Sequence, residues 1–400
     1  MAYERVDSES SLENTPNASF ASSCATLTKT MIGSGILAMP AVLASVGAIN
    51  GLLLMALAAV LSGLGQYLLI IVATTISPVQ TASIRSACKD INPYLSIVFD
   101  VAIIFKSLGV SISYFMVIGD SLVKLFPAIL GDYALMRSIW ITASLIVVIP
   151  LVLKKKMDSL KKTSIAGILV AVYFCIMALV VFIQSGRASD TALFKKSDVK
   201  TIANAFSVFI FAFTCHQNVF PVYNESIHPD PERMKLVITT GILTSAAIYT
   251  VFAVFSYYTF GDACNGNVLF NHKDSYLALI GRALITLLAA FTIPLQIHPF
   301  KNSVKDILKV FGAGELSEEY GNVVVVTATL TAYTVAVWLK DLVFVVSITG
   351  KVAGVIVCYI LPSVLYMFSE DLEKSNLMLA VSFLMIKAAI LVELVTFIID

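Results

Sequence analysis

Two stretches of this sequence place backbone-exposing residues where chemistry could follow. The first reads Thr30-Met31-Ile32-Gly33-Ser34-Gly35-Ile36-Leu37-Ala38-Met39-Pro40. Glycine is poorly tolerated and proline very poorly tolerated inside a helix, so a Gly-Ser-Gly step with a proline five residues later marks a break in an apolar segment. The second reads Ile210-Phe211-Ala212-Phe213-Thr214-Cys215-His216-Gln217-Asn218-Val219-Phe220-Pro221. Five polar or weakly polar residues, Thr214 to Asn218, stand together in an otherwise apolar run, and a proline again follows. A broken helix frees N–H groups at one half-helix start, which suit a carboxylate, and C=O groups at the other half-helix end, which suit an ammonium or a metal cation. An α-amino acid carries both charges, so Ile32, Gly33, Ser34, Gly35 and Ile36 with Phe213, Thr214, Cys215 and His216 form the candidate substrate site. Taken singly, each stretch also has a purely structural reading: a close helix contact for the glycines and a kink for the prolines.

Ionisable groups at membrane depth are costly and few. Lys29 adjoins the first break. It reads either as a cation that loads and releases a proton or as a lysine snorkelling to the interface. His216 reads either as a proton-responsive group or as a neutral imidazole bonded to a freed carbonyl. Asp100, Lys106, Lys351, Lys387 and Glu393 read as helix-packing charges, His298 as interfacial, and Tyr114 as a packing aromatic beside the substrate position. The six cysteines are scattered, with no metal-binding spacing, so neither a metal site nor a cofactor is expected.

The elements that must carry these residues follow from composition. The 400-residue chain is 58% hydrophobic and 13% charged, with net charge +1 and mean hydropathy +0.88. That charge cannot cover a water-soluble body of this size, and no basic face exists for nucleic acid. Eleven apolar segments, at about 20–45, 49–75, 93–125, 138–153, 163–184, 201–223, 235–260, 276–299, 321–339, 342–368 and 377–399, are each near the length that spans a bilayer. They predict an all-α membrane protein with the first helix as its own insertion signal. Lysines 154, 155, 156, 161, 162, 301, 305 and 309 favour a cytosolic N-terminus, which puts Asp400 on the far side and leaves the sequons at Asn17 and Asn224 cytosolic and unmodified. The two breaks lie five spans apart. That is the pattern of two inverted five-helix repeats, about 20–184 and 201–368, with 1–19 as a tail and 377–399 as an added helix.

At these residues the sequence resembles the amino acid/auxin permease family of the APC superfamily. The first-break stretch resembles its first-helix signature. Phe211 through Glu225 resembles the sixth, and Phe291-Thr292-Ile293-Pro294-Leu295-Gln296-Ile297-His298-Pro299 the eighth. The branch is similar to fungal vacuolar amino acid transporters and to animal sodium-coupled neutral amino acid transporters. The resemblance implies the leucine-transporter-type fold, discontinuous helices 1 and 6, and alternating access. It implies that the Gly33–Gly35 backbone meets the substrate carboxylate and that Phe213 to His216 line the other side. In the sodium-coupled relatives an Asn on helix one and a Thr on helix eight help to hold Na⁺. Thr292 matches the second, whereas Lys29 occupies the first. A fixed ammonium there would repel Na⁺ and replace its charge, so the expected coupling ion moves from Na⁺ to H⁺.

The reading is therefore a secondary active amino acid transporter, in a vacuolar or lysosomal-type membrane or in the plasma membrane. Lys29, Thr292 and His216 are its ion-coupling candidates. A sodium-coupled symporter and an amino acid sensor that signals through a cytosolic partner are the alternatives, the latter disfavoured by the short tail. An enzyme is not expected, since no nucleophile–base motif or histidine cluster stands out.

Overall fold

A computed structural model describes residues 18–76, 81–89, 91–92, 94–126, 132–154, 160–227, 229–273, 275–312 and 317–398, with backbone alone for 160–163 and 396–398. The tail 1–17 with Asn17, and Lys155, Lys156 and Asp400, lie outside the described residues. Span one is α1 (Phe20–Met31), a 3₁₀ turn (Ser34–Ala38) and α2 (Met39–Val46), bent by 47° at the break. Spans two to five are α3 (Ala48–Ala73), α5 (Leu95–Leu125), α6 (Tyr133–Val152) and α7 (Leu160–Ser185), with the short α4 (Ile84–Lys89) before α5. Span six is α8 (Val199–Ala212), a 3₁₀ turn (His216–Asn218) and α9 (Val219–Glu225). Then come α10 (Pro231–Phe260), α11 (Tyr276–Val310), α12 (Glu318–Trp338), span ten as α13 (Leu342–Thr349) and α14 (Leu361–Phe368), and α15 (Asn376–Ile398). Ten helices among the described residues are long and apolar enough to cross a bilayer, and the bent span one makes eleven. Helices 1 and 6 are discontinuous, as expected.

Short polar side chains set where the helices begin. Ser19, Asp132, Asp198, Asp230, Ser275, Ser317 and Asp341 each accept a backbone N–H of the first turn they precede. Span four accordingly starts at Tyr133, capped by Asp132, and not near 138. Span eight runs to Val310, well past 299. Pro294 and Pro299 each remove only one helical hydrogen bond, and α11 keeps its course by packing along α5. Span ten differs more. Gly350–Gly354 and Ile356–Ile360 wind as π-helix between α13 and α14, and a Cβ on Gly350 would strike the Ser207 carbonyl of α8. Composition carries no signal for such winding.

The two ends of the bundle are unlike. At the end where α2 turns into α3, Gly47 has φ +88°, and its Cβ position is filled by the backbone of 193–195, so only glycine fits. The strap 186–198 offers the Ala192 and Leu193 carbonyls to the N–H groups of Ala48 and Ile49, at 3.0 and 2.8 Å. Lys195 pairs with Asp262 at 2.9 Å. Buried nearby, Arg137 Nε donates to Asp120 at 2.7 Å, and Asn267 Nδ2 donates to the other Asp120 oxygen at 3.2 Å. The segment Val268–Phe270 lies over the 3₁₀ turn of span one. Arg282 pins it by donating to the Leu269 and His272 carbonyls at 3.2 and 2.9 Å.

His272, in this closing segment and outside the spans, is buried against Phe260. Burial, aided by the Arg282 charge, lowers its pKa from 6.5 to about 4. The native imidazole stays neutral while the unfolded one protonates, so the stability it contributes is fully present above about pH 6.5 and lost as pH falls towards 4. The thermal midpoint of the purified protein should fall over that window, and His272→Gln should flatten the fall; a mutant with the unchanged slope would disprove the assignment.

Candidate functional site

The site is built from the backbone groups that the two breaks release. In span one, Ile32 (φ −74°, ψ 98°) and Gly33 (φ −134°, ψ −152°) leave the helix. The following 3₁₀ turn has no side-chain cap, so its first N–H groups face the break. The Tyr114 hydroxyl lies over this turn. It would sit 2.7 Å from a Cβ on Gly33, and it meets the Ser34 backbone and the Thr292 side chain. Ser34 and Ser113 share a hydrogen bond of 2.5 Å. Thus α5, through Ser113 and Tyr114, holds the start of the second half of span one.

The carbonyl ends are also accounted for. Tyr249 of α10 is fully buried, with its hydroxyl 2.6 Å from the Met31 carbonyl and 3.2 Å from the Ala212 carbonyl. One phenolic O–H therefore reaches the last turns of both first halves. The Phe213 ring stands edge-on to it at 5.4 Å. Thr214 Oγ1 donates to the Ile210 carbonyl at 2.6 Å, and Lys106 Nζ donates to the Thr214 carbonyl at 3.2 Å. A Cβ on Gly35 would lie 3.2 Å from the Phe211 ring and 3.8 Å from Ala212 Cβ. The two breaks are brought together, as the sequence predicts.

A cavity of about 700 Å³ enters from the end where span one begins. Lys29, Thr30, Tyr114, Asn218, Thr292 and Gln296 are among the residues that line it. Ile32 to Ile36 and Phe213 to His216 do not line it; all of those with side chains are buried. Tyr114 both lines the cavity and lies over Gly33, so it stands between the cavity and the first break.

Lys29 is only 6% exposed, packs against Gly167 of α7 and lines the cavity; it does not snorkel. Thr292 stands close by and donates back to the Leu288 carbonyl at 2.7 Å. His216 points elsewhere, towards the Ser62 backbone of α3, with Nε2 2.9 Å from a Cβ on Gly65. His298 lies inside α11 and lines the cavity rather than ending a helix. Asn224 pairs its side-chain amide with both backbone groups of Ala82, at 3.1 and 2.8 Å. Among the described residues no three His, Cys, Asp or Glu side chains gather as metal ligands.

Tyr114, which the sequence offers either as a cover for the substrate or as a packing aromatic, follows Ser111 and Ser113 on one polar stretch of α5. Sequence reasoning gave no role in joining the breaks to two further residues. Asn218 belongs to the polar run of span six and donates to Thr30 Oγ1 at 2.8 Å, tying the two spans. Tyr249 carries no signal in the sequence, being one tyrosine among several on α10.

The model of the "Transmembrane amino acid transporter protein" family matches residues 16–399. The chain belongs to this family. It is 31% identical over 356 residues to vacuolar amino acid transporter 5 of Schizosaccharomyces pombe, covering 88% of this chain and 84% of that protein. It is 34% identical over 296 residues to vacuolar amino acid transporter 7 of Saccharomyces cerevisiae, covering 72% of this chain and 59% of that protein. Among solved structures, MhsT in complex with L-phenylalanine superposes with a TM-score of 0.65 at 15% identity, covering 95% of this chain and 99% of that one. That likeness shows the leucine-transporter-type fold. The family is one of transporters rather than enzymes.

A side chain at position 35 would be driven into Phe211, on the line where the two breaks meet. Gly35→Leu should abolish amino acid uptake, by at least about a hundredfold, while the protein still reaches its membrane. Normal uptake by this mutant would remove Gly35 from the substrate site.

Proposed function

We propose that this chain is a proton-coupled secondary active transporter of amino acids that works by alternating access. The observation that carries the reading is the pair of breaks, joined by Tyr249 and reached from one side by a cavity that stops at Tyr114. An amino acid rising through the cavity would displace the Tyr114 hydroxyl. Its carboxylate would take the N–H groups of Gly33 to Gly35. Its ammonium would take the second lone pairs of carbonyls around Phe213 to Cys215, since each C=O accepts twice. Ile32 and Ile36 would complete the walls, and His216, whose ring lies against α3, would contribute its backbone. The repeats are assigned to about 20–184 and 201–368, with 377–399 added.

The coupling ion is assigned from Lys29. Its side chain occupies the space between α1, Gly167 and Leu288, beside Thr292. In the sodium-coupled relatives the resemblance implies Na⁺ at these two positions, and an ammonium already there would repel a second cation, replace its charge and supply a proton to exchange. Thr292 is what keeps the sodium-coupled reading alive, because its hydroxyl is the one retained ligand.

Membrane and orientation come from charge and kinship. Lys154, Lys301 and Lys305 gather at the cavity mouth, which makes that end cytosolic by the positive-inside bias. The conformation is then inward-facing, and the strap with Asp120–Arg137 closes the far side. The vacuolar relatives support an acidic organelle membrane, where a proton gradient is at hand.

Proteoliposomes with an imposed pH gradient should accumulate radiolabelled amino acids, and a Na⁺ gradient at equal pH should drive none. Lys29→Asn should cut pH-driven accumulation at least tenfold. Uptake that needs Na⁺ at fixed pH would refute proton coupling, and an unchanged rate and pH dependence in Lys29→Asn would make Lys29 a bystander.

A further inference from the structure

Among the described residues Lys106 is, with Lys29, a buried lysine of the bundle. It lies in the middle of α5 and is 4% exposed. Among the described residues no carboxylate forms an ion pair with it. The side chains facing it are the thiols of Cys215 and Cys358 and the ring of His216, none of which supplies a compensating negative charge as a neutral group. A lone cation is costly to bury, so something else must favour it there.

What it does touch is the end of a half-helix. Its Nζ donates to the Thr214 carbonyl, just past the C-terminus of α8. That is the negative end of the helix dipole. Neighbouring carbonyls on either side of Thr214 are taken by neutral protein donors. Phe209 and Phe211 accept the N–H groups of Phe213 and Thr214 at 3.0 and 3.2 Å, and Cys215 accepts that of Asn218 at 2.9 Å. Ile210 accepts the Thr214 hydroxyl, and Ala212 accepts Tyr249. The only full charge among the groups bonded to these carbonyls is Lys106.

We propose that Lys106 is the resident cation of the span-six break, a positioning residue that fills with a protein ammonium the place where freed carbonyls would otherwise draw a dissociable alkali cation. It holds Phe213 to Cys215 in their unwound shape, and it makes this half of the site independent of Na⁺ and K⁺. The functional consequence rests on the transporter reading, but the effect on the shape of the break does not.

Two readouts separate them. The first needs no transport: Cys215 is fully buried in the break, so its alkylation by N-ethylmaleimide, followed by peptide mass spectrometry on the full-length protein in nanodiscs, reports the break itself. Lys106→Gln, which keeps a donor and removes the charge, should raise that rate at least tenfold. Lys106→Arg should stay within about threefold of the wild type. Added NaCl or LiCl at fixed pH and ionic strength should slow labelling in Lys106→Gln and leave the wild type unchanged. The second readout is pH-driven uptake of a radiolabelled mixture of the twenty L-amino acids, which should fall at least tenfold in Lys106→Gln and be largely retained in Lys106→Arg. Equal labelling in Lys106→Gln and wild type, or equal impairment in the Gln and Arg variants, would overturn the proposal, as would labelling in Lys106→Gln that ignores alkali salt. A wild type that takes up nothing while the labelling pattern holds would sink the transporter reading and leave Lys106 as the cation of the break.

Discussion

A carbonyl freed inside a bilayer has no water to accept from, so every unwound residue must be matched by a donor from the protein. The architecture around the two breaks is an answer to that requirement. Tyr249 carries one proton and stands within reach of Met31 and Ala212. The last turns of α1 and α8 are thereby tied to α10 and to each other. Spans one and six also meet through Asn218 and Thr30, and through the backbone bonds between Ala18 and Glu225 and between Ile227 and Ala18, at 3.0 and 3.4 Å. With three such ties, the broken spans form a unit whose parts do not shift independently.

That unit sits between two ends held by different physics. On the far side the contacts are polar and directed: Asp120 takes bonds from Arg137 and Asn267, Arg282 holds two carbonyls of the covering segment, and Lys195 clips the strap. Removing one partner of a buried pair such as Asp120–Arg137 leaves an uncompensated charge, at a cost of about 3–5 kcal/mol. Opening that end therefore means exchanging several bonds together. On the near side the cavity lies between α1, α5 and α11, and Tyr114 is what stands between it and the first break. The proposed alternating access would then require that the far-side bonds break and that counterparts form at the mouth. The lysines and Glu318 of the cavity mouth are the charges placed to form them.

The sequence exposes this plan unevenly, for reasons that follow from particular residues. The spans are legible because lipid demands long apolar helices, and their starts because Asp and Ser caps stand at fixed positions. Span four extends back past its apolar run at 138 to Tyr133, where Asp132 caps it in the ordinary way. The first break is legible from Gly33, Gly35 and Pro40, and the second from its polar run. The partners of the breaks are not. Tyr249 and Lys106 lie on unbroken helices, far along the chain from the carbonyls they meet, and only the packing of α10 and α5 brings them there. His216 shows how a turn redirects a side chain. Its place in the polar run aimed it at the substrate, whereas the 3₁₀ turn after Cys215 rotates it toward α3 and Gly65.

Glycine positions explain how a chain of near-zero net charge can house two ammonium groups next to its working centre. A Cβ on Gly167 would press on Lys29 Cγ at 3.0 Å, so the missing side chain in α7 is the space in which that lysine lies. Lys106 depends on the same device at one remove. On α5, Gly109 leaves room for Thr349, and on span ten, Gly350 and Gly354 do so for Ser207 and Ile210 of α8. α5, span ten and α8 therefore close up around the break, and the Lys106 ammonium comes within bonding distance of Thr214. A methyl group at any of these points would push the helices apart before it touched a charged atom. The electrostatics of the site thus rest on steric permission granted by residues that carry no chemistry of their own. Gly350 and Gly354, four residues apart and so on one face of span ten, are what lets that wound stretch lie directly against Ser207 and Ile210 of α8.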